Sequence, residues 1–554
     1  MSGFTRVDLL VVIGYFIIIA FIGWRSSRLV KSAGDYFAGG RRFNKWLMAA
    51  HSLGTGTHAD DPVGVAGAVY QRGISGIWYT YSFLFLTPFY WIIAPVFRRL
   101  RLYTTADFFQ ARYGTKMAVL YAAMGMLTFM VNTGTLLKGT GAIATAMTGG
   151  TLPEWIAMAA MTVVFVAYGT AGGLVATVFT EFLQALLIVV MSFLLVPYGL
   201  AKIGGFAALH DLLPADKFSF AAPEEITVWW IVAASVMNLI GIVGQPHSME
   251  VCATGKTEWE GRVGFTYGNF VKRFCAMGWA VAGLVVIAVG VSLTKREDAF
   301  GYAIREFLPP GATGLMFAAI LAAQMSTLSA FMVAGSALFS SNFWRRFHRP
   351  QADDRELLRV GRWSGLLVVA GGFVVAMLLG SVVDGLTIFW QLTAMTGLFM
   401  WAGVLWRGAN RTGAWVSFVV MALPWLYLGQ FGQWITKLGL MVPGLGLFAD
   451  KAALPLLVLA YLPLGVVALV VGSLLGRPEP KKALDDFYTL IRTPVGREKE
   501  LAAAGVQAMY TGESEGHPWE LHHGRLVNVL GFLVALAFAA AILGLLWALM
   551  RIGA

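Results

Sequence analysis

The sequence predicts an all-α polytopic membrane protein of about 14 transmembrane helices, two of them broken at mid-membrane and inserted in opposite orientations. Three observations carry that prediction. Apolar residues make up 58% of the 554-residue chain and charged residues only 13%, about half of what a soluble domain uses to cover its surface. Apolar runs long enough to cross a hydrocarbon core of ~30 Å recur along the whole length. Lys and Arg gather in alternate connections, the distribution that orients a membrane protein. The first observation excludes a soluble multidomain enzyme. The net charge of +11 then serves topology rather than nucleic acid.

The runs lie near 6–24, 46–70, 74–97, 117–147, 153–171, 176–201, 226–250, 264–293, 311–340, 363–380, 385–406, 412–430, 453–475 and 526–550. The first, from Val7 to Trp24, lacks a small-residue cleavage site and is followed by basic residues, so it reads as a span and not as a removable leader. Assigned by connection, with Lys272 and Arg273 of the 264–293 run counted in the connection that precedes it, thirty of the 41 Lys and Arg fall on one side and ten on the other, and Lys138 is left inside a span. The heavier side reads as cytoplasmic, which leaves both termini outside a cell membrane. This assignment puts Lys272 and Arg273 in the connection after the seventh span. Cys252 and Cys275 form no disulfide framework and have no metal-ligand spacing.

Two spans are not plain. The second reads AAHSLGTGTHADDPVGVAGAVY, with Gly54, Gly56 and Pro62 around a polar stretch; the seventh reads NLIGIVGQPHSMEVC, with Gly241, Gly244 and Pro246 around Gln245 and His247. Glycine and proline free backbone groups that lipid cannot satisfy, so broken backbone at that depth implies a cavity or an ion. The breaks lie five spans apart, an odd number, so the two helices cross in opposite directions. That is the pattern of a secondary transporter built from inverted repeats, with its site between the breaks. The ninth span, FAAILAAQMSTLSAF, places Ala319, Ala323, Ser326 and Ala330 on one face with Thr327 beside them. Hydroxyls there, with carbonyls of a broken helix, offer hard oxygen ligands for a small cation.

Several stretches together are similar to one family: GGRR at 39–42, GAVYQRGIS at 67–75, the GG…TE-x2-Q run within 172–184, GQPH at 244–247 and AAQMSTLSA at 322–330. Over roughly residues 6–475 the chain resembles the sodium:solute symporter family, which includes proline, galactose, sialic acid and pantothenate symporters. The resemblance implies a leucine-transporter-like fold with two inverted five-helix repeats. It divides the chain into a first peripheral helix and loop (1–45), a first repeat (46–203), a second repeat (204–411), peripheral helices (412–476), a cytoplasmic segment (477–525) and a final span (526–554). It implies sodium-coupled import of a small polar organic solute by alternating access, with Na+ as coupling ion. The sodium ligands would be carbonyls of Gly54, Thr57 and Ala323 and hydroxyls of Ser326 and Thr327. A second sodium would use Glu181 and Ser329, although Ala330 stands where a further serine is usual. Solute contacts would fall on Asp60, Asp61, Gln245 and His247, with Trp390 and Gln391 as wall and donor.

The residues also have plainer readings. Asp61-Pro62 fits an N-cap followed by proline at the first helical position. Thr57 and Asp61, four apart, share a face, whereas Asp60 points about 100° away, toward Lys138 as an ion-pair partner. Two acids with no arginine nearby suggest an amine or zwitterion; a Lys138–Asp60 pair would instead leave a site for a neutral polyol or sugar. A proton-coupled symporter, with His247, Glu181 or Asp61 titrating, and a transporter-like membrane sensor are the alternatives. The tail segment DDFYTLIR reads as part of an amphipathic helix. No catalytic constellation or Walker sequence occurs, so neither an enzyme nor an ATP-driven pump is expected.

Overall fold

The computed structural model describes residues 5–27, 43–102, 104–429, 454–508 and 525–553; the GGRR motif and the connection 430–453 lie outside the described residues. The chain is helical, in the order α1 (Arg6–Ser27), α2 (Lys45–Gly56), α3 (Asp60–Arg72), α4 (Thr87–Leu100), α5 (Thr115–Met147), α6 (Glu154–Ile203), α7 (Val228–Gly241), α8 (Pro246–Ala253) and α9 (Glu258–Ala288). It continues through α10 (Asp298–Phe307), α11 (Ala312–Phe339), α12 (Asp354–Leu378), α13 (Val382–Leu405), α14 (Arg411–Leu428), α15 (Leu454–Leu475), α16 (Lys481–Arg492) and α17 (Arg525–Leu549). Among the described residues, nine helices are long and apolar enough to cross a membrane by length and composition.

Both broken spans are broken where the glycines and prolines fall. α2 ends at Gly56 and α3 resumes at Asp60, leaving Thr57, His58 and Ala59 between them. Because the helix restarts at Asp60, Ala59 is the capping position, and Asp60 and Asp61 are first-turn acids rather than Asp61 the cap. α7 tightens into a 3-10 turn over Ile242–Gly244, and α8 starts at Pro246 after the extended Gln245. Proline at the first helical position loses nothing there, since its missing N–H is one the helix leaves unpaired anyway.

The spans expected at 153–171 and 176–201 form one helical run, α6, of 50 residues, about 75 Å if straight. Both ends nevertheless meet the neighbourhood of the short helix α10. Lys295, just before α10, reaches Glu154 at 3.4 Å, and Gly199 packs on the Phe307 ring at its end. A straight rod cannot do this, so the run bends along its length, and its Thr180–Ile203 part is long and apolar enough to cross a membrane.

Glycine sets how closely α9 approaches the first break. A Cβ on Gly268 would fall 2.6 Å from the Ala49 carbonyl of α2, and one on Gly264 would strike Met48. Gly264, Gly268 and Lys272 recur every four residues and so line one face. The same close packing that needs glycine therefore delivers Lys272 to the break. Lys272 and Arg273 are both buried in α9, which corrects their assignment to a cytoplasmic connection. An apolar run with two adjacent charges looks like a span edge in sequence; buried partners are what hold them inside.

Lys138 does not pair with Asp60. Its ammonium meets Glu154 at 3.0 Å, near the C-terminal end of α5. It is the next residue, Gly139, whose backbone faces Asp60: a Cβ there would lie 2.8 Å from the Asp60 Cα. One residue along a helix turns about 100°, so Lys138 is aimed elsewhere. The two sites should be independent. Lys138→Met and Asp60→Asn are expected to destabilise additively, within about 0.5 kcal/mol, in thermal unfolding of the purified protein; a rescue in the double variant would contradict this placement.

Candidate functional site

The two breaks face a cavity lined by residues of α2–α5, α8, α9 and α13. Aromatic residues, among them Tyr79, Phe83, Phe389 and Trp390, wall one side; Gln245, His247, Asn269, Lys272 and Arg273 put polar groups into it. A cavity with apolar walls and few convergent polar groups is the form small-molecule sites take.

The first break is held by side chains from three directions. Thr327 on α11 donates to the Gly54 carbonyl at 3.0 Å. The His58 ring turns back to the Thr55 carbonyl at 3.3 Å. Lys272 donates to the Gly56 carbonyl and reaches Asp61 Oδ2 at 2.8 Å. Asp61 in turn accepts from the His58 backbone N–H at 3.0 Å. Three successive carbonyls at the end of α2, which the break strips of intrahelical partners, are thus satisfied in order. At the second break, the Gly244 carbonyl accepts from Tyr121 at 2.9 Å and from Thr396 at 3.4 Å.

Three of the expected sodium ligands converge. The Thr327 hydroxyl sits 3.0 Å from the Gly54 carbonyl and 3.2 Å from that of Ala323. Thr57 is fully buried, and its hydroxyl has no hydrogen-bond partner among the described residues. The side chains of Ser326 and Ser329, and so their part in either ion site, lie outside the described residues. Glu181 is engaged instead with α2: one carboxylate oxygen meets His51 Nδ1 and the other accepts from Thr55 at 3.2 Å.

The solute-side residues separate. Asp61, Gln245, His247 and Trp390 line the cavity. Asp60 lies behind the wall, bonded to His58 Nδ1 at 2.9 Å. Both nitrogens of His58 thereby face acceptor oxygens. His58, Asp60 and Asp61 bring ligand atoms within 4.8 Å of one another, but the Lys272 ammonium already supplies the positive charge a metal would bring. Gln391 turns away from the cavity: its Oε1 accepts from Trp425 on α14 at 2.9 Å, and sequence spacing alone could not tell which neighbour the tenth core helix shows it. His51, Thr55, Lys272 and Arg273 are the residues sequence reading missed. The glycine-every-four pattern leading to Lys272 was the available signal.

One rim is closed by a network outside the spans. Glu225 meets Arg72 at 3.1 Å, Arg296 at 3.3 Å and the Tyr79 hydroxyl at 3.1 Å. Burial works against its charge, but the two guanidinium groups and the hydroxyl outweigh it and hold the carboxyl below its ordinary range. A carboxylate so depressed contributes at neutral pH and is lost only as pH falls through its folded value.

The profile of the sodium:solute symporter family matches residues 36–420. The chain belongs to the sodium:solute symporter family. It is 25% identical to an osmoregulated proline transporter of Bacillus subtilis, over 76% of this chain and 89% of that one. It is 24% identical to a sodium/pantothenate symporter of Haemophilus influenzae over 81% and 91%, and 22% identical to a sodium/glucose cotransporter of Vibrio parahaemolyticus over 77% and 86%. The structure of a Na+-coupled sialic acid symporter superposes with a TM-score of 0.70 at 17% identity, covering 86% of this chain and all of that one. The fold is thus leucine-transporter-like, and the protein is a sodium-coupled solute symporter, not an enzyme.

Lys272 and Asp61 are a buried pair, so removing one partner strands the other's charge. Lys272→Met should cost about 3–5 kcal/mol and Lys272→Met with Asp61→Asn distinctly less, read by thermal unfolding in detergent. Equal losses in both variants would mean that the pair does not hold the break.

Proposed function

We propose that this symporter holds one Na+ at the first break, between the Gly54 and Ala323 carbonyls and the Thr327 hydroxyl, with Thr57 and Ser326 completing the set. The solute occupies the adjoining cavity, and both are imported by alternating access of the repeats 46–203 and 204–411. The observation that carries this reading is the meeting of three oxygens from two helices at Thr327, 3.0 and 3.2 Å apart, beside a buried hydroxyl without a partner. Hard oxygens at such a point suit a small hard cation. Glu181, whose oxygens are committed to His51 and Thr55, supports one sodium rather than two.

With Lys272 and Arg273 moved inside, 28 basic residues remain on the heavier side against ten, which still supports cytoplasmic placement of that side and both termini outside. The tail helix α16 packs on this face, where Tyr488 donates to the Gly403 carbonyl at 2.8 Å.

Thr327→Val keeps the shape of the side chain and removes one ligand oxygen. It is expected to abolish the rise in melting temperature that Na+ produces over choline, leaving the melting temperature in choline within a few degrees of the parent. Full sodium stabilisation in Thr327→Val would remove this site from the account. Glu181→Gln should keep the sodium effect with a single-site dependence on concentration.

A further inference from the structure

One cation at the cavity has no carboxylate partner at ion-pairing distance among the described residues. Asp61 is matched by Lys272 at 2.8 Å, and Asp60 by His58 at 2.9 Å. Arg273, the next residue along α9, meets the Tyr90 hydroxyl but has no such ion pair. It is 3% exposed, and among the described residues no carboxylate lies within ion-pairing distance of it. Its Nε is buried without a hydrogen-bond partner. Its guanidinium lies 5.1 Å from the centre of the Phe83 ring, close to the Tyr90 hydroxyl, and it lines the cavity with both aromatic residues. A cation–π contact is worth roughly 0.5–2 kcal/mol, well short of what burying an unpaired charge costs. Arg112, as deeply buried, has its guanidinium met by the carbonyls of Gly403, Trp406 and Arg407; Arg273 has no such set and faces the cavity.

From this we infer that the transported solute carries a carboxylate, received by the guanidinium of Arg273. The inference rests on the symport reading above and names the class of its solute. A guanidinium presents paired N–H donors in a fixed fork that matches a carboxylate bidentately. One unmatched positive charge calls for one negative charge, which favours a monocarboxylate over a doubly charged phosphate ester. Tyr79, Phe389 and Trp390 suit an apolar or ring-bearing body, and Gln245 and Asn269 suit one or two further polar groups. The loaded state then makes sense electrostatically. Na+ and a monocarboxylate together bring no net charge into a low-dielectric site, where a lone ion would be expensive. Among the described residues the cavity holds no acid besides Asp61, which Lys272 takes, and this speaks against the amine suggested by the acids alone.

The test is a binding panel on the purified full-length protein in Na+ and in choline. The probes are monocarboxylates each matched to its own amide: propionate and propionamide, lactate and lactamide, benzoate and benzamide, nicotinate and nicotinamide. The expected result is that at least one acid stabilises the protein in Na+ with an apparent affinity about tenfold or more above its amide, a difference of about 1.4 kcal/mol. That preference should vanish in Arg273→Gln and fall in Arg273→Lys, which keeps the charge and loses the fork. Both variants should keep the shift produced by Na+ alone, which shows that they are folded. Amides binding as well as acids, acids binding Arg273→Gln as well as the parent, or no acid binding at all would overturn the inference. If the sodium shift persists through that failure, the symport site stands without it. No sodium shift in the parent protein would overturn both.

Discussion

A helix that stops inside a membrane leaves carbonyl and amide groups that lipid cannot hydrogen-bond, and the rest of this structure follows from how those groups are met. Thr327, His58 and Lys272 each take one of three consecutive carbonyls, Gly54, Thr55 and Gly56. They come from α11, from the break itself and from α9, so the unwound segment is tied to two neighbouring helices. The glycines at 264 and 268 let α9 approach α2 closely, and without that approach Lys272 could not span to Gly56 and Asp61. Packing, electrostatics and the proposed ion site are therefore one arrangement rather than three.

The arrangement also explains why so many charges are tolerated at depth. Asp60, Asp61 and Glu181 each have a basic side chain within hydrogen-bonding distance, and the pairs join helices that alternating access must hold or release. Lys272 is the member that touches both halves of the broken helix, binding Gly56 before the break and Asp61 after it. Movement of α9 relative to α2 and α3 would be transmitted directly to the Gly54 carbonyl, two residues before Gly56. At the rim, Glu225 gathers Arg72, Arg296 and Tyr79, and Tyr79 lies 6.2 Å from Trp390 by ring centroid, so closure at that face and the cavity wall share a residue.

Much of the fold was legible because lipid makes the code simple. Long apolar runs and Gly/Pro interruptions carried the helical membrane class and the two breaks. The family motifs pointed to candidate sodium ligands, and the structure brings three of those residues, Gly54, Ala323 and Thr327, together. What failed was partner choice among buried polar residues. Lys138 and Gly139 differ by one position and about 100° of rotation, yet only Gly139 faces Asp60. Gln391 sits next to the cavity residue Trp390 but bonds to Trp425. Lys272 and Arg273 looked like loop residues because a charge near the end of an apolar run has two meanings, and only the packed neighbours of α9 decide between them.

The central claim is that the first broken helix and α11 hold sodium between them. Hydrogen–deuterium exchange of the purified protein in Na+ against choline tests it most directly, because ion binding should order the backbone that supplies the ligands. Slower exchange in Na+ is predicted in peptides spanning 53–61 and 322–328 together, with peptides from α14 to α17 unchanged. Protection confined to other helices, or equal exchange in the two salts across both stretches, would contradict the account.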